Sequence, residues 1–195
     1  MRVLLIVAHP NTDSFTHALA ARAETALQAA GHTVDLLDLY ALGVSAAMSA
    51  DEHRAYHSES PLIDPLITAH TELVKAAEAM VFVYPTWWSA QPAILKGWLE
   101  RVMVPGVGFV FNAKGKVRPG LTHVRRIVGI STYGSPRAYV KLVNDNGRRT
   151  LLRTLRLNTS LRGRTKWLGL YAIDTATATQ RDRFLARVEK TMRSL

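Results

Sequence analysis

Short apolar runs alternate along the chain with longer stretches of helical spacing. Arg2–Ala8 is a continuous apolar run, the pattern of a strand buried on both faces of a parallel sheet. A polar turn, His9–Ser14, follows it. Phe15–Ala30 is alanine-rich and helical, closed by Gly31 just past its end. His32–Leu39 reads as a second strand through Val34, Leu36 and Leu37, whereas Tyr40–Pro61 shows no packing pattern. Asp64–Glu78 is helical, Ala79–Tyr84 is a third strand and Pro85–Gln91 a loop. Pro92 opens a helix that runs to about Met103, at a position that tolerates a missing N–H. Val104–Leu121, with scattered Gly and Pro, reads as loop. Arg125–Ser131 is a fourth strand, Gly134–Gly147 begins as a loop, and Arg148–Thr159 is a helix. Lys166–Ile173 is the fifth strand and Thr177–Arg193 the last helix.

Strands alternating with helices predict βαβ units with right-handed crossovers. The expected fold is α/β, a doubly wound five-stranded parallel sheet with helices on both faces, in one domain over residues 1–195. Such sheets bind ligands beyond the carboxyl ends of their strands, at the switch point. The loops after strands one, three and four are therefore the places to look.

Composition narrows the chemistry. With 195 residues, 48% of them apolar and 21% charged, the chain has material for a real core. No apolar run approaches the roughly 20 residues of a membrane span. Val3–Ala8 is too short for a secretory core segment, and His-Pro-Asn follows it, so the chain reads as cytoplasmic. The lack of cysteine excludes disulfides, thiolate metal sites and cysteine nucleophiles. His53 and His57 lie at helical spacing but read as surface residues, and no metal is expected. The net charge of +10 is uneven. Residues 1–100 hold 5 Lys and Arg against 11 Asp and Glu, and residues 101–195 hold 20 against 4. The basic half suits an anionic ligand or partner; no nucleic-acid motif accompanies it.

The loop after strand one has no glycine and hence no dinucleotide fingerprint. It reads His9-Pro10-Asn11-Thr12-Asp13-Ser14-Phe15-Thr16 and runs into a helix. Helix N–H groups, with the hydroxyls of Thr12, Ser14 and Thr16 and the ring of His9, make a phosphate cradle. The same residues read equally as a plain N-cap by Asp13 or Ser14. After strand three, Trp87-Trp88 forms an aromatic wall for a planar ring, or packs beneath the next helix, as large aromatics usually do. After strand four, Ser131-Thr132-Tyr133-Gly134-Ser135 lets a ligand approach backbone. Tyr139 can donate a hydrogen bond to charge developing on that ligand. The three loops converge on one edge of the sheet.

Three stretches carry a resemblance. They are Ala8-His9-Pro10 through Ser14-Phe15; Pro85-Thr86-Trp87-Trp88 followed by Pro92–Val102; and Ser131-Thr132-Tyr133-Gly134-Ser135 with Tyr139. Through them the chain resembles the NAD(P)H:quinone oxidoreductases of the flavodoxin-like superfamily and their bacterial relatives. The resemblance implies a flavin, FAD with FMN as the alternative, reduced by hydride from NAD(P)H and reoxidised by a quinone-like acceptor in one shared pocket, hence ping-pong kinetics. It places His9, Ser14, Phe15 and Thr16 at the flavin phosphates, and Pro85, Thr86, Trp87, Trp88 and Ser89 along the isoalloxazine. Ser131, Thr132, Tyr133 and Gly134 would contact the ring and ribityl chain, and Tyr139 would be catalytic. Phe109 and Phe111 match aromatics that cover the partner's active site in the family's homodimer.

The chain departs from the family in four ways. Asp145 stands where mammalian members have a catalytic histidine, exchanging an imidazole for a carboxylate. Tyr133 replaces a glycine, Thr86-Trp87 replaces a Leu/Met-Gln pair, and the long C-terminal extension is missing. The alternatives to an enzyme are a flavin-binding regulatory subunit of a membrane transport system and a flavodoxin-like electron carrier. The net charge of +10 counts against the carrier, since those proteins are typically acidic.

Overall fold

The computed structural model describes residues 1–58 and 60–195. In chain order, β1 (Arg2–Val7), α1 (Phe15–Ala29), β2 (Thr33–Asp38), α2 (Ala50–Ala55), α3 (Pro65–Ala76), β3 (Ala79–Thr86) and α4 (Ala93–Val102) make the first half. A hairpin of β4 (Phe109–Phe111) and β5 (Val117–Pro119) follows, then β6 (Arg126–Tyr133) and α5 (Arg137–Leu142). One helical rod comes next: α6 (Asn146–Arg149), a π-helical turn (Thr150–Leu155) and α7 (Arg156–Asn158). The chain ends with β7 (Arg164–Leu170) and α8 (Ala178–Arg193).

The large sheet has five strands in the order β2-β1-β3-β6-β7, all parallel. Val3–Val7 of β1 and Ala79–Tyr84 of β3 are apolar because both their faces are covered. Val3, Leu5 and Val7 face α1 and α8, where they meet Leu19, Ala23, Leu27, Phe184 and Val188. Leu4 and Ile6 face the other layer, with Val74, Leu95, Trp98 and Leu151. The expected doubly wound sheet is thus the observed one.

Four local expectations need correction. Tyr40–Pro61 is not patternless: it contains α2, opened by a capping box in which Ser49 and Glu52 satisfy each other's N–H groups. This segment packs so closely on α4 that a Cβ on Gly97 would lie 1.8 Å from the Ala46 carbonyl oxygen. Val104–Leu121 holds the β4–β5 hairpin, turning through Gly115 at φ +69. The stretch after Gly134 forms α5 within three residues. The fifth strand starts two residues and ends three residues earlier than its hydropathy suggests, because β7 is an edge strand and only half buried.

Register decides where the loops emerge. Pro85 pairs with Thr132, and Thr86 with Tyr133, so β3 and β6 end side by side. The Ala8 N–H donates to the Val83 carbonyl at 3.1 Å, which brings the end of β1 to the same edge. Behind that edge lies an aromatic layer. Gly129 bares the backbone of β6 so that the Trp167 ring crosses it; a Cβ there would come within 2.1 Å of the indole. Trp167 then meets the rings of Tyr84 and Tyr133 edge-on, at centroid distances of 6.2 and 6.4 Å.

Candidate active site

A cavity of about 490 Å³ opens at the carboxyl edge, lined by Pro85, Thr86, Trp87, Trp88, Ser89, Thr132, Tyr133, Gly134 and Tyr139. Nine of the residues that the resemblance places at the ligand therefore share one space. Ser135, Val140, Val143, Asp145, Ile173 and Asp174 complete the lining. Of these, Asp145 stood out only as a departure from the family. Ile173 and Asp174 follow β7, so the edge rule that singled out the other loops also names them.

The tryptophans do not pack beneath α4. Trp87 and Ala90 exchange backbone hydrogen bonds at 3.1 and 3.0 Å, and the two residues between them are left-handed, Trp88 at φ 48 and Ser89 at φ 61. A non-glycine pair in that region is strained and persists only where the surroundings enforce it. The turn swings Trp88 fully into solvent, 100% exposed, with Trp87 at 42%. Trp87 in turn lies 5.8 Å from the ring of His9, which joins the first loop to the third.

The first loop caps α1. The Ser14 hydroxyl accepts the His17 N–H at 3.3 Å, and Thr16 is buried in α1. The other first-turn N–H groups have no partner inside the helix and remain the part of the loop suited to an anion. Ser14, Phe15 and Thr16 do not line the cavity, nor do Phe109 and Phe111, whose rings meet edge-on at 5.7 Å on the hairpin. Ser131 lies beneath the cavity, its hydroxyl 2.9 Å from that of Thr86.

Electrostatics single out Asp145. Asn144 and Asp145 are consecutive left-handed residues, a turn that carries the carboxylate back into the cavity wall. Its Oδ1 accepts the Tyr133 hydroxyl at 3.0 Å, and Arg148 stands 3.9 Å from Oδ2. Burial raises the Asp145 carboxyl above the ordinary carboxylate range, with Tyr133, Arg148 and Arg149 opposing it only in part. Tyr133 is pushed far up by its own burial and by the facing carboxylate, so it holds its proton. Tyr84 is buried with no partner for its hydroxyl among the described residues, and burial raises it strongly. Tyr133 lines the cavity floor and stacks on Tyr171 at 4.6 Å. Tyr139 is half exposed at the rim.

The sequence profile described as the flavodoxin-like fold matches residues 1–195. The chain belongs to that family. Among curated relatives of this flavodoxin-like protein, the NAD(P)H dehydrogenase (quinone) 1 of Cavia porcellus is 32% identical over 153 residues, 71% of this chain and 55% of that one. The ribosyldihydronicotinamide dehydrogenase (quinone) of Homo sapiens is 31% identical over 166 residues, 75% of this chain and 70% of that one. The chain spans just over half the length of the first of these, and 56% of its Rattus norvegicus counterpart. A solved Streptococcus mutans protein superposes with a TM-score of 0.85 at 25% identity, covering both chains completely. Among the described residues no helix is long and apolar enough to cross a membrane, and no cluster of three or more His, Asp or Glu could hold a metal ion.

Proposed function

We propose that this chain is a flavin-dependent NAD(P)H oxidoreductase that makes a two-electron reduction of quinones or similar acceptors, carried by one domain over residues 1–195. The observation that carries this reading is the cavity where β3 and β6 end together, walled by unpacked indoles and floored by a hydroxyl-rich strand end. The residues fit a flavin. Two planar faces stand free of the core, and about 490 Å³ lies within the range of small-molecule sites, about 300–1,000 Å³. The relatives that match most of this chain are named for nicotinamide oxidation and quinone reduction, which supports the same activity here.

A bound flavin supplies hydride acceptance from NAD(P)H and two-electron delivery to the acceptor. The chain's own residues then have distinct tasks. Trp87 and Trp88 hold a planar ring by stacking. Thr86, Ser89 and Thr132 offer hydroxyls that orient its polar edge. The open N–H groups at the start of α1, beside His9, receive phosphate. Tyr139 donates a hydrogen bond from the rim to negative charge on the reduced ring or the acceptor. We take the cofactor as FAD, with FMN as the alternative. The exposed hairpin carrying Phe109, Val110 and Phe111 presents an apolar surface, which suits covering the cavity of a second copy in a homodimer.

One pocket for both substrates requires the oxidised donor to leave before the acceptor enters. Initial rates measured at several fixed quinone concentrations against varied NADPH give parallel reciprocal lines if this is so. Intersecting lines would show both substrates bound together and overturn the shared pocket.

A further inference from the structure

We propose that a second cavity beside the first binds the 2′-phosphate of the electron donor and makes this chain prefer NADPH to NADH. The inference rests on the reading above that a nicotinamide donor is oxidised in the first cavity. The second cavity, about 220 Å³, is lined by Arg137, Lys141, Arg148, Arg149 and Arg153, with Asp145 as its carboxylate. That volume falls below the range for whole small-molecule ligands, about 300–1,000 Å³, and is the size of a subsite. Val140 and Asp145 line both cavities, so the two share a wall.

The charges here are poorly neutralised. Arg148 stands 3.9 Å from Asp145, and the other four cations form no ion pair among the described residues. Asp145 already accepts the Tyr133 hydroxyl, and its burial works against the ionised form. Arg137 and Lys141 are four residues apart on α5, and Arg149 and Arg153 are four apart on the rod. Like charges at that spacing repel and weaken a helix. Two helices converge their repelling faces on one concavity, an arrangement that an anion relieves. The rod also breaks into its π-helical turn at Thr150, and such turns often mark functional sites.

The chemistry favours a phosphate monoester. At neutral pH a monoester carries about −1.5 to −2 charge on three exposed oxygens. The pyrophosphate common to both donors spreads a single charge over each phosphorus. Guanidinium forks bind paired phosphate oxygens. Arg137 is already held over the Tyr171 ring, 6.0 Å from its centroid, and Tyr171 stacks on the Tyr133 of the first cavity. The cation cluster is thus braced against the reaction chamber.

Calorimetric titration of the purified protein with 2′,5′-ADP and with 5′-AMP reads this without turnover. The expected result is 2′,5′-ADP binding tighter by about tenfold or more, the worth of a charge-assisted hydrogen bond or two. The double substitution Arg149→Ala/Arg153→Ala should erase that margin, whereas Arg187→Ala on α8 should keep it. The ratio of kcat/KM for NADPH over NADH should fall with the double substitution by a similar factor. Equal binding of the two nucleotides, or an equal loss with both donors, would overturn the proposal, the latter because the cavity would then read the shared pyrophosphate. Displacement of 2′,5′-ADP by inorganic phosphate at similar concentration would also overturn it, in favour of a free-anion site. Absence of flavin binding would sink the oxidoreductase reading instead, and a parallel FAD titration separates that failure from this one.

Discussion

Two regions of this molecule bury carboxylates, and they treat them in opposite ways. Beneath α4, the side chain of Arg101, 4% exposed, holds Glu52 at 2.6 Å, Asp64, and the Ser45 carbonyl at 3.0 Å. Burial alone would raise both acids. For Glu52 the Ser49 N–H and Arg101 outweigh it, and for Asp64 Arg101 and the Leu66 and Ile67 N–H groups do, so both are held below their ordinary values. At the cavity edge, Asp145 has a tyrosine hydroxyl and a distant arginine, and burial prevails. A fully partnered charge ties an irregular segment to a helix. A half-partnered one, in a strained turn between two cavities, is what a site looks like.

Four substitutions break or sharpen this contrast. Arg101→Met should have the largest effect, about 3–5 kcal/mol of lost stability, because it strands the buried Glu52 and the half-buried Asp64; urea unfolding measures it, and a loss under 1 kcal/mol would mean the triad is not the anchor. Tyr139→Phe, at the other region, should leave stability alone and lower kcat by about 10–100-fold, the worth of one hydrogen bond to a charged group. An unchanged kcat in stopped-flow reduction and reoxidation removes the tyrosine from the reaction.

Trp88→Ala should weaken flavin binding by about three- to tenfold, the value of one aromatic pair. The melting temperature of the apo-protein should hardly move, since the indole is fully exposed. A large apo destabilisation would instead make Trp88 a structural residue. The smallest effect belongs to Asp145→Asn. The folded carboxyl titrates above its ordinary value of about 3.9, so the wild type loses stability as pH rises from there through the folded value. The asparagine variant escapes that loss. Its melting point should exceed the wild type's by about 2–4 °C or less at neutral pH, and the gap should close on acidification. A gap that persists at pH 3 contradicts the burial argument.

How legible these features are in sequence follows from the physics of each. β1 and β3 are readable because the stretches Val3–Val7 and Ala79–Tyr84, covered on both faces, are apolar at every position. β7 is blurred because an edge strand alternates weakly. α5 and α2 have six residues each, too few for a helical period to show, although the Ser49–Glu52 cap is a visible signal. The convergence of three loops on one edge follows from topology, and nine of the residues that the resemblance places at the ligand line the cavity there. Local pattern does not disclose the left-handed Trp88-Ser89 turn or the Tyr133–Asp145 hydrogen bond, which joins residues twelve apart. Nor does it distinguish the arginines lining the second cavity from a solvated helix face, since that cavity needs two helices docked together.

The most direct measurement is the visible spectrum of the purified protein, before and after addition of FAD or FMN, and then with NADPH in the absence of oxygen. A flavin absorption band that shifts on binding and bleaches on NADPH is the expected result. A protein that leaves the spectrum of either flavin unchanged at micromolar concentration would contradict the central claim and leave the cavity to some other planar ligand.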